Sequence, residues 1–399
     1  MCLVRIVPVV LLALIGSACG GPTRSDKQQK PGPDADKPVS AKQLLRQARA
    51  AEDAGEFELA KKKYRGAVRL EPGDYKIAQS YANFLIDRGD ADEAVEVSGK
   101  YVDKNPGDPR GYHIFADAQL AAKQYRVAVE TLTELIDIDD ADASAFEKRG
   151  RANVLARRFE QGVDDLKKAV TLEPEDPDLL VSLGSALHRA TRLDEAALNL
   201  RGAIRMDEDN ARAHLILGIV LREQFELKLA LSEHLKAVRL APEDARAHFE
   251  LGITHNVNND NLAAEKSLGK AVELAPENAT NWYAYGDILR ILKRWDEAIP
   301  AYRRALKLEP DHPKAANKLG LVLYYTSDLE RAEVVLTKAI RRNDKDPYSF
   351  FNLGMVYAKQ EKHGLAISAF EKFLELAPQE DGDRKTAKKK IRELRRKRK

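Results

Sequence analysis

Residues 279–312 read ATNWYAYGDILRILKRWDEAIPAYRRALKLEPDH. Trp282, Tyr285, Gly286 and Leu289 recur at i, i+3, i+4 and i+7, which puts them on one face of an α-helix. Trp295 marks a turn. Asp296 and Glu297 then place negative charge at the N-terminus of a second helix, where the helix dipole favours it. Ala298, Tyr302 and Ala305 form the packing face of that second helix, and Pro310 ends the unit. Two short helices and a turn cannot bury their own apolar faces, so such a unit needs neighbours of its own kind.

The neighbours are present. Pro72, Pro106, Pro174, Pro242, Pro276, Pro310 and Pro378 are separated by multiples of 34, with Asp140, Glu208 and Asp344 in the remaining places. Ala48, Ala82, Ala116, Gly150, Gly184, Gly218, Gly252, Gly286, Gly320 and Gly354 form a column at the same spacing. Ala60, Ala94, Ala128, Gly162, Ala196, Ala230, Ala264, Ala298, Ala332 and Ala366 form a second. A third, Ala67, Ala169, Ala203, Ala237, Ala271, Ala305 and Ala339, is interrupted by Tyr101, Leu135 and Phe373. Small residues in register mean that helix backbones approach closely there. Asp108-Pro109, Asp176-Pro177 and Asp346-Pro347 each supply an N-cap followed by proline in the first helical position.

These columns resemble the tetratricopeptide repeat, a 34-residue helix-turn-helix unit, over residues 41–380. The resemblance implies an all-α fold: a right-handed α-solenoid, or superhelix, of ten repeats. Their expected bounds are 41–74, 75–108, 109–142, 143–176, 177–210, 211–244, 245–278, 279–312, 313–346 and 347–380. Residues 381–399 carry Ala387, Ile391 and Leu394 on one stripe, which predicts a C-terminal capping helix that runs into a basic tail.

Ahead of the repeats, residues 1–18 read as an export signal peptide: Arg5, then an apolar run from Ile6 to Ile15 broken only by Pro8, then Gly16-Ser17-Ala18. The run is shorter than the ~20 residues of a permanent membrane span. Small residues before Cys19 are similar to a bacterial lipobox, although Gly16 stands where those proteins prefer Leu. That resemblance implies a lipidated Cys19, and Gly20 after it implies sorting to the periplasmic face of the outer membrane. The alternatives are ordinary signal-peptidase cleavage and an uncleaved leader. Residues 19–40 then form a polar tether that buries too little to order, reaching roughly 25 Å as a coil.

Composition narrows the chemistry. A chain of 399 residues with 32% charged residues and a mean hydropathy of −0.47 is not a polytopic membrane protein. Cys2 and Cys19 both lie in the leader, which leaves the body without a disulfide or a cysteine metal cage. Residues 41–380 are all assigned to repeats, and no HExxH, P-loop, GxSxG or dinucleotide fingerprint occurs, so neither an enzyme nor a cofactor is expected. His214, His248 and His255 could converge on a metal, but they occupy ordinary packing places of the repeat and are read as core filling. Residues 384–399 hold eleven Lys and Arg against Glu393, so the rest of the chain is net acidic. That basic tail is a solvated end or a contact for anionic lipid. Nucleic acid is not expected, because no aromatic residues interleave the charges.

Members of the resembling family bind partners with the fifth and ninth residues of each first helix, which face a concave groove. No repeat pairs Lys with Asn at those places, so the family's carboxylate clamp is absent. In repeats one to four only Leu45 among these residues is apolar, whereas repeats six to ten supply Leu215, Ile219, Phe249, Ile253, Tyr283, Leu321, Phe351 and Met355. Two explanations stand. These side chains pack on neighbouring first helices, or they line a groove for an apolar protein or peptide segment, with Phe249, Tyr283 and Phe351 as anchors. The function expected is a non-catalytic protein-interaction scaffold held to the bacterial envelope by a lipid on Cys19. A soluble periplasmic or cytoplasmic adaptor without that anchor is the rival.

Overall fold

The computed structural model describes residues 39–312 and 314–397; the leader, Cys19 and the tether as far as Pro38 lie outside them. Among the described residues there are 21 helices and no strand. The helices come in pairs, from Ala41–Asp53 with Phe57–Leu70 to Pro347–Lys359 with His363–Leu376, and Asp383–Lys397 follows alone. No helix among them is long and apolar enough to cross a membrane. The chain divides into two compact units between Glu71 and Pro72. The first holds repeat one, where Tyr64 is buried and its hydroxyl donates to Glu52 at 2.6 Å. The second holds repeats two to ten and the last helix, an all-α repeat solenoid.

Local chemistry sets each helix. The side chains of Ser40, Asp74, Asp108, Asp142, Asp176, Asn210, Asp244, Asn278 and Asp346 accept backbone N–H groups at the start of the first helices. Repeat nine departs from this. Its first helix starts late, at Ala315, and the ring Nδ1 of His312 accepts from the amides of Lys314 and Ala315 at 3.4 and 3.2 Å. Each first helix ends on a residue with positive φ: Gly55 and Gly89, then Lys123, Arg157, Thr191, Phe225, Asn259, Lys293, Ser327 and Glu361. The next amide bonds back across the turn, as Asp90 N does to Leu85 O at 2.8 Å, so this bond holds eight non-glycine residues in a conformation that L-residues disfavour.

The core is built on one recurring contact. A large residue of the second helix seats on the Gly column of the first: Leu166 on Gly150, Leu200 on Gly184, Leu268 on Gly252, Tyr302 on Gly286, Leu336 on Gly320 and Phe370 on Gly354. Each of these six large side chains is buried. A Cβ added at Gly252 would lie 2.6 Å from Leu268 Cγ and 3.2 Å from the Leu268 backbone nitrogen. At Gly150 it would also meet the carbonyl oxygen of Gly162, from the second small column, at 2.9 Å.

A second contact closes the boundary between repeats. At four boundaries the ring of the fourth residue of a repeat donates to a carbonyl at the end of the preceding repeat. Tyr112 bonds to Pro106 O at 3.1 Å, His214 to Glu208 O at 3.0 Å, His248 to Pro242 O at 2.9 Å and Trp282 to Pro276 O at 3.0 Å. At the far end, Ala387, Ile391 and Leu394 of the last helix are buried with Phe370 and Phe373. Arg384 there donates to Leu374 O and Ala377 O at 2.6 and 2.8 Å, which satisfies carbonyls at the end of repeat ten. This is the capping helix that the stripe predicts.

Gly252→Leu should overpack the contact with Leu268 and cost roughly 1–3 kcal/mol of stability. In a one-dimensional array the loss should centre on repeats six to eight. Hydrogen exchange reads this residue by residue, and uniform deprotection along the chain would contradict it.

Candidate functional site

The eight apolar residues of the expected groove do not share one fate. Leu215 and Ile219 are 4% and 6% exposed, so they supply core rather than a binding surface. Their helix, Ala211–Glu223, is buried at every residue from Ala213 to Leu221, because it is apolar all round. Leu215 packs with Ala237 and Ala247, whose small side chains let the second helix of its own repeat and the next first helix close over it. For these two residues packing on neighbours is the outcome.

The other six, Phe249, Ile253, Tyr283, Leu321, Phe351 and Met355, are half-buried. Phe249 and Ile253 rest against Ala264, Leu268, Ala284 and Ile288. The Tyr283 ring lies 6.0 Å from Tyr302 and 4.7 Å from the His312 ring. Burial, with Asp287 nearby, pushes its hydroxyl up to about 12. Phe351 meets Phe370 and Phe373 at centroid distances of 5.7 and 5.0 Å, and Met355 belongs to the same cluster. Phe249, Ile253, Tyr283, Phe351 and Met355 are thus fixed on one side by core and remain partly exposed.

Charged groups sit beside this apolar run, and inspection of the fifth and ninth places alone misses two of them. Asp287 accepts from Arg290 Nε at 2.8 Å and from the Tyr302 hydroxyl at 3.0 Å. Burial holds the Lys318 ammonium below its usual range against the opposing pull of Asp287. The Asp287–Arg290 pair is visible in the sequence as an i, i+3 spacing, but Lys318 carries no such sign. In repeats three and four the corresponding places are polar, and His113, Asp117 and Glu147 among them pair with neighbouring side chains. His113 Nε2 meets Asp142 at 2.7 Å, Lys148 meets Asp117 at 2.7 Å and Ser182 donates to Glu147 at 3.3 Å. Such pairs satisfy one another and offer a partner little unmet charge.

The three histidines considered as metal ligands have separate tasks. His214 stands between the Glu233 carboxylate and the Glu208 carbonyl, His248 bonds to Pro242 O, and His255 lies 3.6 Å from Asp260. Among the described residues no group of three metal-ligating side chains gathers. A fourth, His234, replaces the Leu or aromatic residue that seats on the Gly column. It is fully buried over Gly218, with Nδ1 3.0 Å from the Thr254 hydroxyl. Desolvation, helped by Arg222, lowers its pKa from 6.5 to about 3.

Residues 267–384 match the model of the TPR domain of cytochrome c-type biogenesis protein H. Residues 51–114, 148–198 and 181–245 match tetratricopeptide repeat models. A 92-residue stretch is 28% identical to N-alpha-acetyltransferase 16, NatA auxiliary subunit, of Homo sapiens; it covers 23% of this chain and 11% of that protein. Among solved structures, the Cut9-Hcn1 hetero-tetramer of APC/C aligns with a TM-score of 0.51 and 16% identity, over 89% of this chain and 76% of that one. YrrB, a TPR protein with an unusual peptide-binding site, aligns with a TM-score of 0.41 and 24% identity over 45% of this chain and 93% of its own.

His234 generates a pH prediction. Its folded pKa lies below its ordinary value, so the neutral ring adds stability that is complete above pH 6.5 and is lost as the pH falls toward about 3. His234→Leu should therefore weaken the fall in urea midpoint between pH 7 and pH 4.5. Parallel falls in the two proteins would show that the ring takes up its proton in the fold as readily as in the unfolded chain.

Proposed function

We propose that this chain, which belongs to the tetratricopeptide repeat proteins, is a non-catalytic scaffold that holds an apolar protein or peptide segment against the first helices of repeats seven to ten. The observation that carries this is the run Phe249, Ile253, Tyr283, Leu321, Phe351 and Met355, half-buried at equivalent places on successive first helices. A face that only closed the solenoid would be covered, as Leu215 and Ile219 are. A solvated face gains nothing from rings and methyl groups, and an exposed apolar run invites aggregation. Rings already fixed on one side by core lose little entropy on binding, which suits them as anchors.

The site of action belongs to the same proposal: the bacterial envelope, on the periplasmic face of the outer membrane, through a lipid on Cys19. The leader and the cysteine context support it. The match of residues 267–384 to the TPR domain of a cytochrome c-type biogenesis protein supports a role in assembly. The eleven basic residues of 384–399 would add a contact for anionic lipid. The soluble adaptor without an anchor remains the rival, and fractionation separates the two. Cys19→Ser should leave the repeats folded and release the protein from membranes; a variant still bound after a high-salt wash would sink the anchor.

Removing rings is a poor test of the groove, because Tyr283 and Phe351 also touch core. Leu321→Lys with Met355→Lys is cleaner, since lysine stems keep much of the buried contact and set charge in the groove. Peptides selected from a random library on the wild-type protein should be rich in apolar residues. They should lose about tenfold or more in affinity, at least 1.4 kcal/mol, on the double variant with the melting temperature nearly unchanged. Undiminished affinity would remove the groove from consideration.

A further inference from the structure

Repeat nine breaks the boundary contact described above. Its fourth residue is Ala316, where repeats three, six, seven and eight have Tyr112, His214, His248 and Trp282. The carbonyl that such a ring would meet, Pro310 O, accepts instead from Arg342. Repeat two has the same small residue, Ala78, but Tyr101 interrupts the third small column there and packs with Ala78 and Ile114. Repeat nine has no such compensation, because the matching residue is Ala339. The two alanines together leave a cavity of about 660 Å³, a size ordinary for a ligand site, lined by Leu306, Pro310, Val335, Lys338 and Arg342 among others. At one end the cavity reaches Asn317, the groove residue of the same first helix.

We infer that this cavity receives a tryptophan or tyrosine side chain of the partner peptide, which occupies the place that Trp282 occupies one repeat earlier. Phe146, Leu180 and Phe350 fill this place in three repeats without a donor, whereas Tyr112, His214, His248 and Trp282 fill it with a ring whose N–H or O–H meets the carbonyl. Pro310 O is the matching acceptor. Leu306, Val335 and Ala339 offer apolar contact to the ring, and the Arg342 guanidinium and Lys338 ammonium at the rim favour the face of a π system. Arg342 would keep its pairing with Asp311, now at 3.1 Å, while it shares the carbonyl. The inference rests on the peptide-binding role proposed above and adds the side chain that is recognised.

The test uses the full-length protein and N-acetyltryptophanamide, followed through the methyl resonances of Leu306 and Val335. A saturable shift is expected with this amide and not with N-acetylleucinamide. Ala316→Trp plugs the cavity from within and should abolish the shift while raising the melting temperature. Should that variant fold poorly, Ala316→Leu, which fills part of the space without a ring, should weaken the amide. Absence of saturation, equal binding of the leucine amide, or a shift undiminished in both variants overturns the inference. Because the amide is used alone, its failure leaves the groove standing. Conversely, peptide affinity unchanged by the Leu321→Lys, Met355→Lys double variant removes the groove without touching the amide result.

Discussion

Repeats four to ten depend on how closely the two helices of a repeat approach at the Gly column. Where Leu268 lies over Gly252 there is no room for a single methyl group, and the same holds over Gly184, Gly320 and Gly354. That contact fixes the separation and crossing of the pair. It therefore fixes where the remaining faces point, including the one that carries Phe249, Tyr283 and Phe351. Apolar burial supplies most of the stabilisation, but the notch decides its geometry. His234 shows how far the rule stretches: an imidazole is accepted over Gly218 because its shape fits, at the expense of leaving it neutral in the core.

The division of the first-helix face follows from what each side chain finds nearby. Acid–base pairs in repeats three and four complete one another along the face, as Lys148 does with Asp117 and His113 with Asp142. In repeat six an all-round apolar helix is swallowed by its neighbours. From repeat seven onward Phe249, Tyr283 and Phe351 rest on core and stay half-buried. Polar closure, apolar closure and an open apolar surface thus succeed one another along a single repeated architecture.

Much of this was legible in the sequence, for physical reasons. A period repeated ten times averages out local accidents, so the small columns, the three Asp-Pro caps and the stripe on the last helix could be read before any coordinate. The residues that seat on the glycines share that period, and Tyr302 was visible among them. The fate of Leu215 was not legible, because closure over it depends on Ala237 and Ala247 in other helices. Nor was the cavity of repeat nine. Ala316 and Ala78 look alike in the chain, and only the pairing of one with Ala339 and the other with Tyr101 separates a space from a filled core. The positive-φ residues were equally hidden, since Lys, Arg, Phe and Glu do not advertise that conformation.

The bond that closes four of these boundaries joins residues six apart in sequence, and its donor and acceptor come from different repeats. Excision of 211–244 would join Asn210 to Ala245 and carry the His248 ring to the Glu208 carbonyl, with the donor type, the spacing and the helix cap preserved. Any other length would leave the ring facing the wrong atom. A gene for such a chain can therefore grow or shrink in whole units with its seams intact, and its length is a variable that selection can adjust to the reach of whatever it holds.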